Sequence, residues 1–176
     1  MDLPIGKCRT TIIRISKAKE EKMPTIGEMA PDFDVLTDEG KRVKLSDYRG
    51  KKVVLYFYPK DFTSGCELQA CSFRDHYPQF EAANAVVLGV SPDDVESHRK
   101  FREALNLPFH LLVDSDFSLS QVWESYGTKT YPDGSTFTGT RRSHFVIDEN
   151  GVIIDVQNPV SAPESAKRAL EVVSSS

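Results

Sequence analysis

A chain of 176 residues with 39% hydrophobic content is long enough to bury one core and too apolar for a disordered segment. Its formal charge of -4 supplies no clustered basic excess for nucleic acid or an anionic membrane, so small molecules and other proteins are the expected partners. No run approaches the roughly 20 apolar residues that span a bilayer, and no apolar signal core opens the chain, which predicts a soluble, cytoplasmic protein.

Residues 1–22 read as an N-terminal extension and 23–176 as one domain. In the extension, Lys7, Arg9, Arg14, Lys17, Lys19 and Lys22 outnumber the acids, and the β-branched run Cys8 to Ser16 is expected to form an edge strand. "FDVLT" and "RVKLS" flank "DEG" and predict a hairpin. "KVVLYFYP", Lys52 to Pro59, is apolar enough for a central strand buried on both faces. Helical content follows from Cys66 to Asn84, interrupted at Pro78. "AVVLGVS" is a second buried strand, and Ser91 with Pro92 is read as the N-cap and first residue of the next helix.

"FHLLVD" predicts a third strand, and "SLSQVWESYG" a short helix ending near Gly127, with Trp123 and Tyr126 as core or rim aromatics. "HFVID" and "VIIDV" form a hairpin across "ENG". In "SAPES", Ser161 and Glu164 are read as a capping box opening the last helix, to about Val173. This order calls for a thioredoxin-like α/β fold: a mixed central sheet with helices on both faces. No glycine-rich dinucleotide or phosphate-binding fingerprint is present.

Three cysteines are too few for a disulfide scaffold, which turns attention to Cys66 and Cys71, with Cys8 apart. Structural zinc is disfavoured by the C-x4-C gap and the scattered His76, His98, His110 and His144. Inert buried thiols and a redox pair both remain open at this point. Cys66 stands where a strand ends and a helix begins, and the free N–H groups and dipole of a helix start favour a thiolate there. Gly65 would let the backbone approach a substrate, and the Thr63 hydroxyl can donate and accept near the sulfur. In an unbroken helix, residues five apart have Cα atoms about 8.5 Å apart and point roughly 140° away from each other. A disulfide needs less than about 7 Å, so a bond between Cys66 and Cys71 would require the first turns to unwind.

Pro59, Thr63 and Cys66 make the pattern P-x-x-x-T-x-x-C. With "FYPKDFTSGC" and "ACSFRD", and also "VVLGVSPDD" and "RRSHFVIDENG", the chain resembles the peroxiredoxins, in their bacterioferritin-comigratory or Q-type subgroup, from about Met23 to Val173. The resemblance implies that Cys66 is the peroxidatic cysteine and Cys71 a resolving cysteine in the same helix. It also implies that Thr63 hydrogen-bonds the thiolate and peroxide oxygens, that Pro59 shields the site from water, and that Arg142 stabilises the thiolate and the developing oxygen charge. Strand alternation sends Arg142 inward and Arg141 outward and places His144 on the face of Arg142 as a hydrogen-bonded interior histidine, while Phe57, Phe62 and Phe73 are expected to pack in the core by default or to line or support the apolar wall of the pocket. Three positions depart from the subgroup: Ser64 stands where proline is usual, Gln69 where glutamate is common, and His144 where a small hydroxyl residue is usual.

The implied function is a thiol peroxidase acting on hydrogen peroxide and organic hydroperoxides, as a monomer or dimer, with no cofactor and no metal. Its Cys66–Cys71 disulfide would be reduced by thioredoxin or a similar dithiol protein. A thiol-disulfide oxidoreductase would lack its C-x-x-C, and a redox sensor would be oxidised without turnover.

Overall fold

The computed structural model describes residues 24–176, so the expectations placed on residues 1–23, including the edge strand and Cys8, lie outside it. β1 (Asp34–Leu36) and β2 (Arg42–Lys44) form the antiparallel hairpin expected around the glycine turn. β3 (Lys52–Phe57) is buried along its whole length because it sits in the middle of the five-stranded sheet β5-β4-β3-β8-β9. β3 is parallel to β4 (Ala85–Ser91) and antiparallel to β8 (Ser143–Ile147). β5 (Leu111–Val113) and β9 (Ile153–Gln157) form the edges, parallel to β4 and antiparallel to β8 respectively.

Alternation along β3 divides the core in two. Val53, Leu55 and Phe57 point to one face, with Leu88, Val90, Phe145 and Trp123. Val54 and Tyr56 point to the other, against Ala70 and Phe73 of α1 (Ser64–Asp75), Phe80 of α2 (Tyr77–Ala82), Phe101 of α3 (Val95–Leu105), and Ala166 and Ala169 of α5 (Ala162–Ser175). Tyr56 stacks on Phe73 with ring centroids 4.7 Å apart, forming the apolar floor of α1. That ring lies over Gly89 of β4, where an added Cβ would come within 2.8 Å of Tyr56 and 2.9 Å of Leu111.

Three expectations need correction. Ser91 closes β4, its hydroxyl donating to Asp93 at 2.6 Å, while the next helix starts at Val95, beyond Pro92, under an Asp94 cap whose carboxylate accepts the Ser97 N–H at 2.8 Å. α4 (Ser118–Val122) ends before Trp123, and Gly127 instead lies in β6 (Tyr126–Thr130), paired with β7 (Thr136–Thr140). The threonine-rich runs either side of Pro132-Asp133-Gly134 were the signal for this hairpin, and Gly134 takes the left-handed turn conformation with φ +85°. Ser161 does precede α5, but its side chain makes no cap bond, and Glu164 turns to Arg168 at 3.1 Å. Pro78 acts as anticipated, in the first turn of α2 just beyond the break at His76.

The loop from Tyr58 to Thr63 carries the chain from β3 into α1, and a buried polar cluster fixes it. Tyr58 donates to Asp61 Oδ1 at 2.6 Å, Ser97 donates to Asp61 Oδ2 at 2.9 Å, and His98 Nδ1 meets the same oxygen at 2.7 Å. His98 Nε2 lies 2.8 Å from the Leu112 carbonyl. Both ring nitrogens therefore face acceptors, an arrangement that calls for the imidazolium. Burial disfavours that charge, but the Asp61 hydrogen bond and charge outweigh it and raise His98 above its ordinary 6.5. Within this loop Phe62 is left-handed, with φ 61°, a conformation that is uncommon for a bulky residue and persists only where its surroundings hold it.

Gly89→Ala should destabilise the fold by about 1–3 kcal/mol, read as a lower urea midpoint at unchanged slope, since neither buried neighbour can yield space. His98 has a raised folded value, so its contribution is complete below the ordinary 6.5 and is lost as pH rises through the higher value of the folded protein. The wild-type urea midpoint should accordingly fall from pH 6 to pH 8.5 relative to His98→Gln, which loses on the order of 3 kcal/mol at acid pH. Parallel pH profiles for the two proteins would refute the assignment.

Candidate active site

α1 begins at Ser64 with Thr63 as its N-cap, and its first internal bond is Glu67 N–H to the Thr63 carbonyl at 2.9 Å. The preceding N–H groups of the first turn thus have no intrahelical acceptor and make the helix start electropositive. Cys66 is the third residue of that turn and 1% exposed. The Thr63 side chain does not cap the helix; its hydroxyl donates to the Lys60 carbonyl at 2.9 Å, bracing the loop and leaving its oxygen lone pairs to accept.

Arg142 reaches this turn from the chain just ahead of β8. Its Nη2 lies 3.4 Å from Cys66 Sγ, and its Nη1 donates to Gln69 Oε1 at 2.6 Å. The guanidinium therefore bridges two residues one turn apart on α1, placing a fixed positive charge beside the buried sulfur. Gly65 makes this approach possible: a Cβ there would stand 3.0 Å from Arg142 Nη2. The sequence suggested that Gly65 lets the backbone come close to a substrate; Gly65 lines the cavity above this turn, and the arginine also passes close over it.

Above the turn opens a cavity of about 720 Å³, lined by Pro59, Thr63, Gly65 and Arg142 on one side and by Tyr131, Phe137 and Gly139 of the β6–β7 region on the other. Cys66 lies behind the near wall. Arg141 is exposed and lines the cavity too, near Gly127, so adjacent arginines share one opening although only Arg142 contacts the sulfur. Both precede β8, which frees them from strict strand alternation.

Of the aromatic residues expected at the wall, Phe57 belongs to the opposite core layer, Phe73 to the layer under α1, and Phe62 is 52% exposed with its edge against Phe101. None lines the cavity. Tyr131 and Phe137 take that place, and the sequence reading missed them along with their hairpin. Cys71 lies on the same unbroken helix as Cys66 and is half-buried.

Behind Arg142 a polar chain runs inward. Gln69 Nε2 donates to Ser165 Oγ at 3.0 Å, His144 Nδ1 meets that oxygen at 2.8 Å, and His144 Nε2 faces Asp155 at 3.5 Å. Burial pushes the Asp155 carboxyl up, but the approach of the His144 ring and the hydrogen bond from Gln157 hold it below the usual range. Ser165 was overlooked in the sequence because "SAPES" reads as a helix cap. Two other groups among the described residues have the composition of a cation site, Asp61/Asp93/His98 and Asp38/Glu39/His110, but Asp61, Asp93, Asp38, both His98 ring nitrogens and His110 Nδ1 are engaged by protein donors and acceptors, and Glu39 pairs with Lys41 and Arg102. Burial raises Asp38, yet hydrogen bonds from His110, Arg102 and the Leu111 N–H bring it down to about 2.

The AhpC/TSA family profile matches residues 26–156. Peroxiredoxin Bcp of Bacillus subtilis is 45% identical over 148 residues, covering 84% of this chain and 94% of that protein. The crystal structure of a Xylella fastidiosa PrxQ mutant is similar with a TM-score of 0.81 at 32% identity, over 88% of this chain and 98% of that one. A Xanthomonas campestris bacterioferritin comigratory protein, described for its alkyl peroxide reduction activity, is similar with a TM-score of 0.75 at 29% identity, over 81% and 90% of the two chains. A thioredoxin-like sheet, a cysteine in the first turn of its helix and an arginine on the sulfur agree with these likenesses, and the chain belongs to the AhpC/TSA family as a thiol-dependent peroxidase, a peroxiredoxin of the Bcp/Q type.

Proposed function

We propose that this peroxiredoxin reduces hydrogen peroxide and organic hydroperoxides at Cys66, with Cys71 as the resolving cysteine. The observation that carries this reading is the 3.4 Å contact of Arg142 with a buried sulfur in a first helical turn, beneath a cavity that contains Thr63 and Pro59. The arginine charge and the free N–H groups favour the thiolate and are already placed where negative oxygen develops. Thr63 Oγ1, its own hydrogen directed to Lys60, can accept the hydrogen of an incoming hydroperoxide and align its O–O bond with the sulfur. Pro59 adds no N–H donor to its part of the wall.

The thiolate attacks one peroxide oxygen, the S–O bond forms as the O–O bond breaks, and the departing oxygen takes a proton to leave as water or an alcohol. Cys66 is then a sulfenic acid. The Cys71 thiolate attacks that sulfur, hydroxide leaves and is protonated to water, and a disulfide joins the pair. Since α1 is continuous through both residues, its first turns must unwind before the sulfurs can meet. An external dithiol, thioredoxin or a protein like it, restores both thiols by exchange in the cytoplasm. The apolar side chains of Tyr131, Phe137 and Val160 in the cavity wall suit the alkyl part of an organic hydroperoxide.

Peroxide consumption coupled to thioredoxin, thioredoxin reductase and NADPH should fall to background in Cys66→Ser. It should fall strongly in Cys71→Ser, with a sulfenic acid at Cys66 that dimedone traps. Arg142→Lys keeps a charge but not the forked contact to Cys66 and Gln69, and kcat/KM should drop on the order of 10²-fold. Wild-type turnover in Cys66→Ser would sink the reading.

A further inference from the structure

The contact that places Arg142 on Cys66 depends on the orientation of a side-chain amide. Arg142 can only donate, so Gln69 must present Oε1 to Nη1, as it does at 2.6 Å. A flipped amide would aim its own N–H donors at the guanidinium and push it off the sulfur. Gln69 is fully buried, and water is not at hand to correct such a mismatch.

What fixes the amide is its other partner. Ser165 Oγ can donate or accept, and a serine free to choose would satisfy either orientation of Gln69. Its hydrogen is committed if His144 Nδ1, 2.8 Å away, is the acceptor. Ser165 then has only lone pairs for Gln69, Nε2 must donate to it at 3.0 Å, and Oε1 is left for Arg142. An unprotonated Nδ1 requires the ring hydrogen on Nε2, which is the nitrogen that faces the Asp155 carboxylate at 3.5 Å. Nε2 and Asp155 Oδ2 are both buried and neither makes a hydrogen bond to a described residue, so the carboxylate acts on the ring through its charge at 3.5 Å.

We propose that Ser165, His144 and Asp155 are positioning residues that set the orientation of the Gln69 amide and so hold Arg142 on Cys66. Each group hands a direction to the next. The carboxylate selects the histidine tautomer, the tautomer turns the hydroxyl, the hydroxyl turns the amide, and the amide anchors the guanidinium. If the ring hydrogen sat on Nδ1, Ser165 would accept there, and its own hydrogen could turn to Gln69 Oε1, with Nε2 then facing Arg142.

This inference rests on Cys66 as the attacking thiolate, and the substitution Gln69→Glu separates it from a packing role for the same residues. The carboxylate introduced by Gln69→Glu would accept from Arg142 through either oxygen and has no orientation to lose. The second-order rate of the reduced protein with peroxide, and the pH profile of Cys66 alkylation by iodoacetamide in a Cys71→Ser background, should be measured for Ser165→Ala and Asp155→Asn. Each variant is made with glutamine and with Gln69→Glu. In the glutamine background Ser165→Ala should slow the peroxide reaction on the order of tenfold, a part of the roughly 10²–10³-fold that loss of a whole stabilising donor costs. The alkylation profile should move to higher pH, and Asp155→Asn should act in the same direction. In the Gln69→Glu background both effects should shrink to less than about twofold. Equal losses in the two backgrounds, or none in the glutamine background, overturn the relay, while an inactive Cys66→Ser protein in the same series shows that the peroxidatic assignment survives that failure.

Discussion

A guanidinium held 3.4 Å from a buried sulfur is the constraint to which much of the molecule answers. Cys66 and Arg142 are 76 residues apart in sequence, and the antiparallel pairing of β3 with β8 makes them neighbours. β3 leads into the loop before α1, and β8 begins one residue after Arg142, so the register Phe57 to Ser143 brings the two approaches together at one end of the sheet. A shift by one residue would turn every side chain of β8 to the opposite face and take the arginine's anchorage with it. Gly65 completes the fit by having no Cβ where the guanidinium passes.

The proposed cycle asks the same region for two incompatible states. Attack on peroxide by Cys66 would need α1 wound, because only then do its free N–H groups and Arg142 converge on the sulfur. Closure of the proposed disulfide with Cys71 would need it unwound. The groups that resist unwinding are local and polar: Asp61 with Tyr58, Ser97 and His98 on one side, and the Arg142–Gln69 bond on the other. The left-handed Phe62 between them favours release. Hydrogen bonds to charged groups of this kind each contribute roughly 1.5–3 kcal/mol net and lie outside the aromatic layer beneath, so the helix start can open while the sheet stays intact.

The sheet was legible in the sequence because its central strands β3 and β4 are short apolar runs rich in β-branched residues, the pattern of strands buried on both faces. The proline, the threonine and the thiol were legible as a spaced motif and the arginine through the resemblance; Pro59, Thr63 and Arg142 line one opening, and Cys66 meets Arg142 behind it. What escaped was decided by contacts distant in the chain. Ser91 has the composition of a helix cap but is held in β4 by pairing with Val113, which local sequence cannot reveal. Gly127 resembles a helix terminator and becomes a strand residue because Thr136–Thr140 returns to meet it. Gln69 could be flagged as unusual, but its role becomes visible only with Ser165, 96 residues away, donating and accepting in three dimensions.

The β6–β7 hairpin forms the far wall of the cavity yet belongs to no larger sheet. Two strands alone are marginal in water, and this pair is mostly exposed, tied to the body by bonds such as Arg141 N–H to the Ser125 carbonyl at 2.6 Å and the Ser125–Ser143 hydroxyl pair at 2.7 Å. The two sides of the opening therefore differ in stiffness: the side bearing the arginine is set into the core, and the side bearing Tyr131 and Phe137 can yield without disturbing it. In the proposed reaction, selection by substrate bulk would fall to the less anchored element and chemistry to the rigid one, so changes among the exposed residues 128–138 would alter the range of peroxides admitted while leaving Cys66 and Arg142 in place.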